Sequence, residues 1–223
     1  MHLKNPLLAA FLIMAASYLQ KPPEQPRPDI GEAQTSREIS DKTALQNAFV
    51  QVLADTGYAG GVITVTHGCQ MDTKRFHIPK GMRLPHALDE LTASDGKHEW
   101  RVSNGAVVVF PTEGMPALLQ TRIQEIQIQD KNNLTLAVNQ LLQAKPIRDE
   151  IAVLRLQLIS PEIGFQQLTP GDSKPEPQPF LLHDTSLFDA LNRIATEHGN
   201  VAWSYDEFDC KGSKRLRLDF IVK

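Results

Sequence analysis

The chain has seven histidines and two cysteines, and four of them, His67, Cys69, His77 and Cys210, could be combined into a transition-metal site. Thiolate sulfur and imidazole nitrogen are ligands that zinc prefers, usually in a tetrahedral set of four. Their spacing, however, matches neither a C-x-x-C pair nor an H-E-x-x-H helix, the patterns that bring such ligands together along a chain. We therefore predict no metal site and expect these histidines at surface or turn positions.

Cys69 is also a candidate nucleophile, with His67 or His86 as its base. Families that use a catalytic cysteine carry a local signature around it, and none surrounds Cys69. The chain also lacks the G-x-S-x-G elbow of hydrolases and the G-x-x-x-x-G-K-[ST] phosphate loop. The sequence therefore predicts no catalytic residue, no cofactor-binding residue and no cofactor.

The charge balance argues against a nucleic-acid binder. The 223 residues include 23 Lys and Arg against 26 Asp and Glu, a formal net charge of -3. No excess of positive charge is present to neutralise phosphates. Hydrophobic residues make up 41% of the chain, enough for a packed core, and the length predicts one or two domains.

Residues 1–17 have the plan of a secretory signal peptide. Lys4 precedes an apolar run from Leu7 to Ala16, and the small residues Ala15-Ala16-Ser17 provide a cleavage pattern. An uncleaved membrane anchor is the alternative, although the run is short for a bilayer span. We expect cleavage near Ser17 and a periplasmic or secreted protein that meets the membrane only through this segment.

Two stretches are rich in proline. Residues 18–37 contain four prolines among charged and small residues, a composition that favours extended chain, and we predict a linker there. Residues 170–179 contain four more and lie between apolar strand-like segments, so we interpret them as a loop inside a domain.

Cys69 and Cys210 are the only two cysteines in a chain expected to enter an oxidising compartment. A disulfide between them is possible and would tie distant parts of the chain together. Two independent thiols are the alternative, because the distance between the two residues cannot be read from the sequence.

Four segments share one helical register. Each has Leu first, Ala fourth, apolar residues at the fifth and eighth places and a helix breaker at the thirteenth, and they begin at Leu45, Leu84, Leu134 and Leu187. Apolar residues at this spacing form one face of a helix. Gly57, Gly96 and Gly199 suit a left-handed C-cap, and Asn133 and Ser186 suit an N-cap. We therefore predict four amphipathic helices.

The second and fourth segments also share their surroundings. Trp100 and Trp203 each follow the terminal glycine by four residues, and a short apolar segment precedes each helix. The first and third segments are each followed by a β-rich run, Val62 to Thr66 and Ile151 to Ile159. We interpret the chain as a duplicated unit with two helices per copy; four unrelated helices are the alternative.

Alternating apolar residues predict a hairpin at the end of each copy. Residues 98–103 and 106–110 flank the turn signal Asn104-Gly105, and residues 201–205 and 216–222 are expected to pair across a longer loop. A further strand at residues 122–129 opens the second copy. The predicted fold class is α+β, with two tandem small modules that each pack two helices on short mixed or antiparallel sheets.

The same order of elements occurs in FHIPKGMRLPHALDELTASDGKHEWRVSNGAVVVF and in FLLHDTSLFDALNRIATEHGNVAWSY. A strand, an L-x-x-A-L-x-x-L helix, a glycine and a hairpin with an aromatic residue resemble the short N-terminal (STN) domain of secretins and TonB-dependent receptors. The resemblance covers two tandem copies, residues 38–112 and 117–223. It implies a small periplasmic fold used for protein contacts in export, uptake or signalling. The duplication and the lack of a following ring or barrel suggest a free-standing adaptor.

We accordingly expect a non-enzymatic interaction module that binds an envelope protein. The strand at residues 122–129 alternates Ile and Gln, and its outward Gln124 and Gln127 mark a possible partner edge for strand addition. Internal pairing of this strand, for example with Val153 to Leu158, is the alternative. The rival function, a small ligand-binding protein or enzyme with a cleft between the modules, predicts titratable residues gathered in that cleft.

Overall fold

The computed structural model describes residues 30–69, 73–159, 163–164, 176–199 and 201–222. The predicted signal peptide lies outside these residues, as do residues 18–29 of the predicted linker and most of the proline-rich loop at 170–179. Within the described part of the chain, no helix is both long and apolar enough to cross a membrane.

The first half alternates strands with two long helices. The described elements are β1 (Ile39–Ala44), α1 (Leu45–Thr56), β2 (Gly60–Thr66), β3 (Thr73–Ile78), α2 (Leu84–Asp95), β4 (His98–Ser103) and β5 (Ala106–Pro111). Both helices occupy the predicted segments and end at glycines with positive φ, Gly57 at 75° and Gly96 at 72°. A glycine adopts this left-handed conformation without a Cβ clash, and its N–H then bonds the last helical turn.

The second half repeats this order with additions. Its described elements are α3 (Ala117–Gln120), β6 (Arg122–Ile128), α4 (Leu134–Gln143), α5 (Lys145–Val153), β7 (Gln157–Ile159), β8 (Ile163–Gly164), β9 (Phe180–Ser186), α6 (Leu187–His198), β10 (Val201–Cys210) and β11 (Ser213–Val222). Strands β7 and β8 both pair with β11 and together correspond to the single strand β2. The short helices α3 and α5 have no counterpart in the described first half.

Side-chain caps begin two of the predicted helices. The Asn133 side chain accepts a hydrogen bond from the Leu136 N–H at 3.0 Å. Ser186 Oγ accepts one from the Asp189 N–H at 3.0 Å and donates to its carboxylate at 2.7 Å. These bonds satisfy N–H groups that have no partner within a helix. All four predicted helices are confirmed.

Both predicted hairpins are present. Strands β4 and β5 turn through Asn104 and Gly105, with φ of 51° and 77°. Strands β10 and β11 pair along their whole length and turn through Lys211 and Gly212, with φ of 53° and 77°. The longer loop predicted for the second hairpin is wrong, because the charged residues on either side of this turn continue the strands.

One predicted β-rich run is wrong in part. Residues 151–159 contain the end of helix α5 and only the three strand residues of β7. Pro146, predicted to end the third helix, lies in the first turn of α5, where its missing N–H removes no helical hydrogen bond. The third helix ends earlier, at Gln143.

A seven-stranded mixed sheet contains strands from both halves. Its order is β4-β5-β2-β10-β11-β7, with β8 also paired to β11. Strands β2 and β10 meet in parallel, from Ala202 beside Gly60 to Phe208 beside Thr66. Two small antiparallel sheets, β1 with β3 and β6 with β9, are separate from it in their pairing. The predicted modules 38–112 and 117–223 are therefore joined by a strand ladder.

Each half packs its helices on a different face of this sheet. Helices α1 and α2 share one core with Val62, Val107 and Val109, whereas α4 and α6 share another with Ile63 and Val108. Successive strand residues point to opposite faces, so the same strands supply both cores. The predicted α+β fold class is confirmed.

Residues 30–37, the described end of the predicted linker, pack against the first half. Ile30 and Ala33 contact the core of α1 and α2. Thr35 is buried, and its hydroxyl donates to the Pro79 carbonyl at 2.8 Å. The packed part of the chain thus extends upstream of residue 38.

Candidate functional site

The predicted partner edge lies on strand β6. This strand pairs antiparallel with β9, which places Gln127 beside Leu181. The alternative prediction, that this strand is paired internally, is thus confirmed, but the suggested partner is wrong. Val153 belongs to helix α5, and Leu158 belongs to β7, which pairs with β11. In the described part of the chain β6 pairs with β9 alone, so its second edge has no strand neighbour there.

A groove of about 530 Å³ runs along β6. It is lined by residues 122–126 of the strand, including Gln124, and by Ala144, Lys145 and Pro146 at the start of helix α5. Ile126 is half-buried and packs on the adjacent core, whereas Gln124 and Gln127 are exposed. The groove therefore has an apolar floor next to polar side chains at a strand edge.

Two charged residues of this groove, Arg122 and Lys145, form ion pairs. Arg122 pairs with Asp184 of β9, with Nη2 2.7 Å from Oδ1, and donates to the Asp184 carbonyl at 2.8 Å. Lys145 pairs with Asp149 one helical turn further on. Because these pairs are largely exposed, they orient the side chains but add little stability.

Cys69 and Cys210 form a disulfide, with their Cα atoms 4.5 Å apart. The bond joins the segment after β2 to the end of β10, and so links the two halves beside the strand junction. A disulfide sulfur is neither a thiolate ligand nor a nucleophile. The metal and cysteine-nucleophile interpretations of Cys69 are therefore excluded in this state. Among the described residues, no group of three or more His, Cys, Asp and Glu could hold a metal ion.

An aspartate–histidine pair lies at the end of helix α2. The Asp95 Oδ2 and His98 Nδ1 atoms are 2.5 Å apart. Burial alone would raise the pKa of Asp95, but the hydrogen bond from His98 helps to hold it below its usual value. The nearby Thr92 hydroxyl donates to the Leu88 carbonyl at 2.9 Å, which occupies it within the helix. The pair attaches β4 to the helix end and has no hydroxyl or thiol nucleophile among its described partners.

A buried polar cluster lies where the two halves meet. Asp206 of β10 is fully buried and accepts a hydrogen bond from Thr64 on the neighbouring β2. Its other oxygen is 3.4 Å from Arg217 Nη2 on β11, and Arg217 Nε is 2.8 Å from Asp219 Oδ2. Burial raises the pKa of Asp206 to about 6. This cluster connects three strands: β2 of the first half, and β10 and β11 of the second half.

The substitution Asp206→Asn is expected to flatten the pH dependence of stability between about pH 4 and 6. The folded carboxyl keeps its proton up to a pKa of about 6, whereas the unfolded one has its ordinary value of 3.8. The folded state therefore binds more protons in this range, and its free energy of unfolding falls as pH rises through it. Denaturant unfolding of both proteins at several pH values measures the effect.

The difference between the two proteins isolates Asp206. Groups that do not interact with Asp206, including His198, whose pKa burial lowers, contribute equally to both curves and cancel. A difference in unfolding free energy that is the same at pH 4 and pH 7 would contradict the assignment.

No sequence pattern selects Asp206, Asp95 or His98. Asp206 points to the opposite face of its strand from Trp203 and Tyr205, which predicts an outward position, but helix α1 of the first half packs on β10. Asp95 and His98 lie on either side of the C-cap glycine Gly96. Their spacing of three residues across a helix end is the only local signal of the pair.

The chain matches no protein-family model, no curated protein and no solved structure.

Proposed function

We propose that this protein is an exported, non-enzymatic interaction module of the cell envelope that binds a partner protein by strand addition. The observation that carries the proposal is strand β6, which lines a groove and, among the described residues, has a strand partner on one edge alone. Main-chain hydrogen bonds along such an edge supply affinity, and pockets for alternate side chains supply selectivity.

Three further observations support this proposal. The repeated order of strands and helices resembles two tandem STN-like domains, which implies protein contacts in the periplasm. The Cys69–Cys210 disulfide is compatible with an oxidising compartment. The aspartate–histidine pair and the Asp206 cluster both have structural partners that account for their positions.

The double substitution Gln124→Lys and Gln127→Lys is expected to abolish partner binding without unfolding the protein. Lysine on an edge strand opposes the approach of another strand, and both positions are exposed. Affinity capture with cross-linking and mass spectrometry, from the native envelope, compares the variant with the wild type.

A matched control adds the same charge elsewhere, at the exposed residues Gln34 and Ser94. The control should keep every partner that the wild type captures. If the β6 variant captures the same partners with unchanged folding, the edge is not the binding site. Turnover of a small substrate, lost on mutating one residue between the two halves, would instead support the ligand-binding or enzymatic alternative.

A further inference from the structure

Each half of the chain contains a unit of one helix followed by a hairpin, and the two units share an equivalent side-chain hydrogen bond. Trp100 of β4 donates its Nε1–H to Asp89 of α2 at 2.8 Å, and Trp203 of β10 donates to Asn192 of α6 at 3.3 Å. In both units the acceptor lies 11 residues before the tryptophan. The unit of α2, β4 and β5 therefore corresponds to the unit of α6, β10 and β11.

The two units differ in what lies beside the tryptophan strand. Strand β10 has β11 on one edge and β2 on the other, and the β2 residue next to Trp203 is Gly61. A Cβ atom on Gly61 would lie 2.0 Å from the Trp203 ring, so only glycine fits there. Strand β4 pairs with β5 alone in the described part of the chain.

Corresponding residues of the two units differ in their exposure to solvent. In the second unit, β2 and its neighbours bury Asn192, Ala202 and Trp203 to 2% exposure or less. The corresponding residues Asp89 and Glu99 are exposed, and Trp100 is half-buried. They line a groove of about 460 Å³ together with Thr92, Ala93 and His98. The first unit thus has an open groove where the second has a strand.

We propose that the free edge of β4 binds an extended segment of another protein, parallel to β4 and with glycine beside Trp100. The parallel direction and the glycine follow from the β2–β10 junction, which is the same arrangement within this chain. Strand β2 of a second copy cannot be the occupant, because β5 and β10 already pair with both of its edges. This inference rests on the proposed function, since it also assumes strand addition.

The charges on β4 specify the residues on either side of that glycine. In the register of the junction, the position before the glycine lies beside Glu99 and the position after it lies beside Arg101. Both residues are exposed, and their counterparts in the second unit are the uncharged Ala202 and Ser204. Opposite charges on neighbouring strands attract and like charges repel. The segment that fits best is therefore basic, then glycine, then acidic.

Synthetic peptides based on residues 58–66 test this proposal with the intact, disulfide-bonded protein. The probe YAKGEITVT carries Gly60→Lys and Val62→Glu and is labelled for fluorescence anisotropy. The peptide YAKVEITVT, with valine in place of the glycine, should bind about 5- to 150-fold more weakly, because overpacking costs about 1–3 kcal/mol. The charge-swapped peptide YAEGKITVT should bind about fivefold more weakly and lose this difference at high salt.

Two protein variants test where on the protein the peptide probe binds. Trp100→Leu should reduce the difference between the glycine and valine peptides, and if this variant fails to fold the peptide series still decides. Gln124→Lys with Gln127→Lys should bind the probe as the wild type does, which separates the β4 edge from the β6 edge of the proposed function. Equal affinity for the glycine and valine peptides, or no saturable binding of the probe, would overturn the inference.

Discussion

Replacing Cys69 and Cys210 together with serine is expected to lower the free energy of unfolding by about 4–5 kcal/mol. The disulfide closes a loop with a sequence separation of 141 residues, and the entropy removed from the unfolded chain grows with the logarithm of loop length. Serine should leave the surrounding packing almost unchanged, because Cys69 is exposed and Cys210 half-buried. Denaturant unfolding of the variant and of the oxidised wild type measures the difference.

Reduced wild-type protein is the control, since it should unfold at the same denaturant concentration as the double-serine variant. Oxidised and denatured wild type should show no free thiol until reductant is added. A loss of stability below about 1 kcal/mol would mean that the junction holds the halves together without the bond.

The helices can be predicted because their signals are local. The Leu45 and Leu187 segments carry the apolar face and the terminal glycine within 13 residues, and the structure begins each helix at that leucine. Helix α5 is not predicted, because Pro146 can either end one helix or begin the next. The repeat pattern favours a helix end at Pro146, whereas the structure begins a helix there.

The junction between the halves cannot be predicted from such signals. Parallel pairing of β2 with β10 joins residues 142 apart, as in the contact of Thr64 with Asp206. The pair Gly60-Gly61 at the start of a strand indicates close approach of another group, but it does not identify that group. The duplication predicts equivalent units, whereas the sheet that joins them depends on tertiary packing alone.

The sequence predicts strand β6 itself, but it does not predict the elements that surround this strand. Gln124 and Gln127 are both exposed, although side chains three residues apart point to opposite faces of a strand. The partner strand β9 lies beyond the proline-rich loop, and the groove wall comes from α5. Strand β9 is distant from β6 in the chain, and helix α5 has no helical signal apart from its proline.

The substitution Gly61→Ala is expected to lower the free energy of unfolding by about 3 kcal/mol, at the upper end of the cost of overpacking a core. The added Cβ would lie 2.0 Å from the Trp203 ring. Trp203 is itself fully buried, between the α6 core and β2, so it cannot move aside without opening that core. Denaturant unfolding measures the loss, and Gly68→Ala is the matched control, because no atom lies within 4 Å of a Cβ placed there.

A double-mutant cycle shows whether the cost comes from this contact. Trp203→Leu alone should destabilise the protein by leaving a cavity, but it also makes room for a Cβ at position 61. The double variant Gly61→Ala with Trp203→Leu should therefore be more stable than the sum of the two single losses predicts, by about 1–3 kcal/mol of coupling. Strict additivity would show that Gly61 is needed for a reason other than the tryptophan. It would also remove the basis for expecting a glycine beside Trp100.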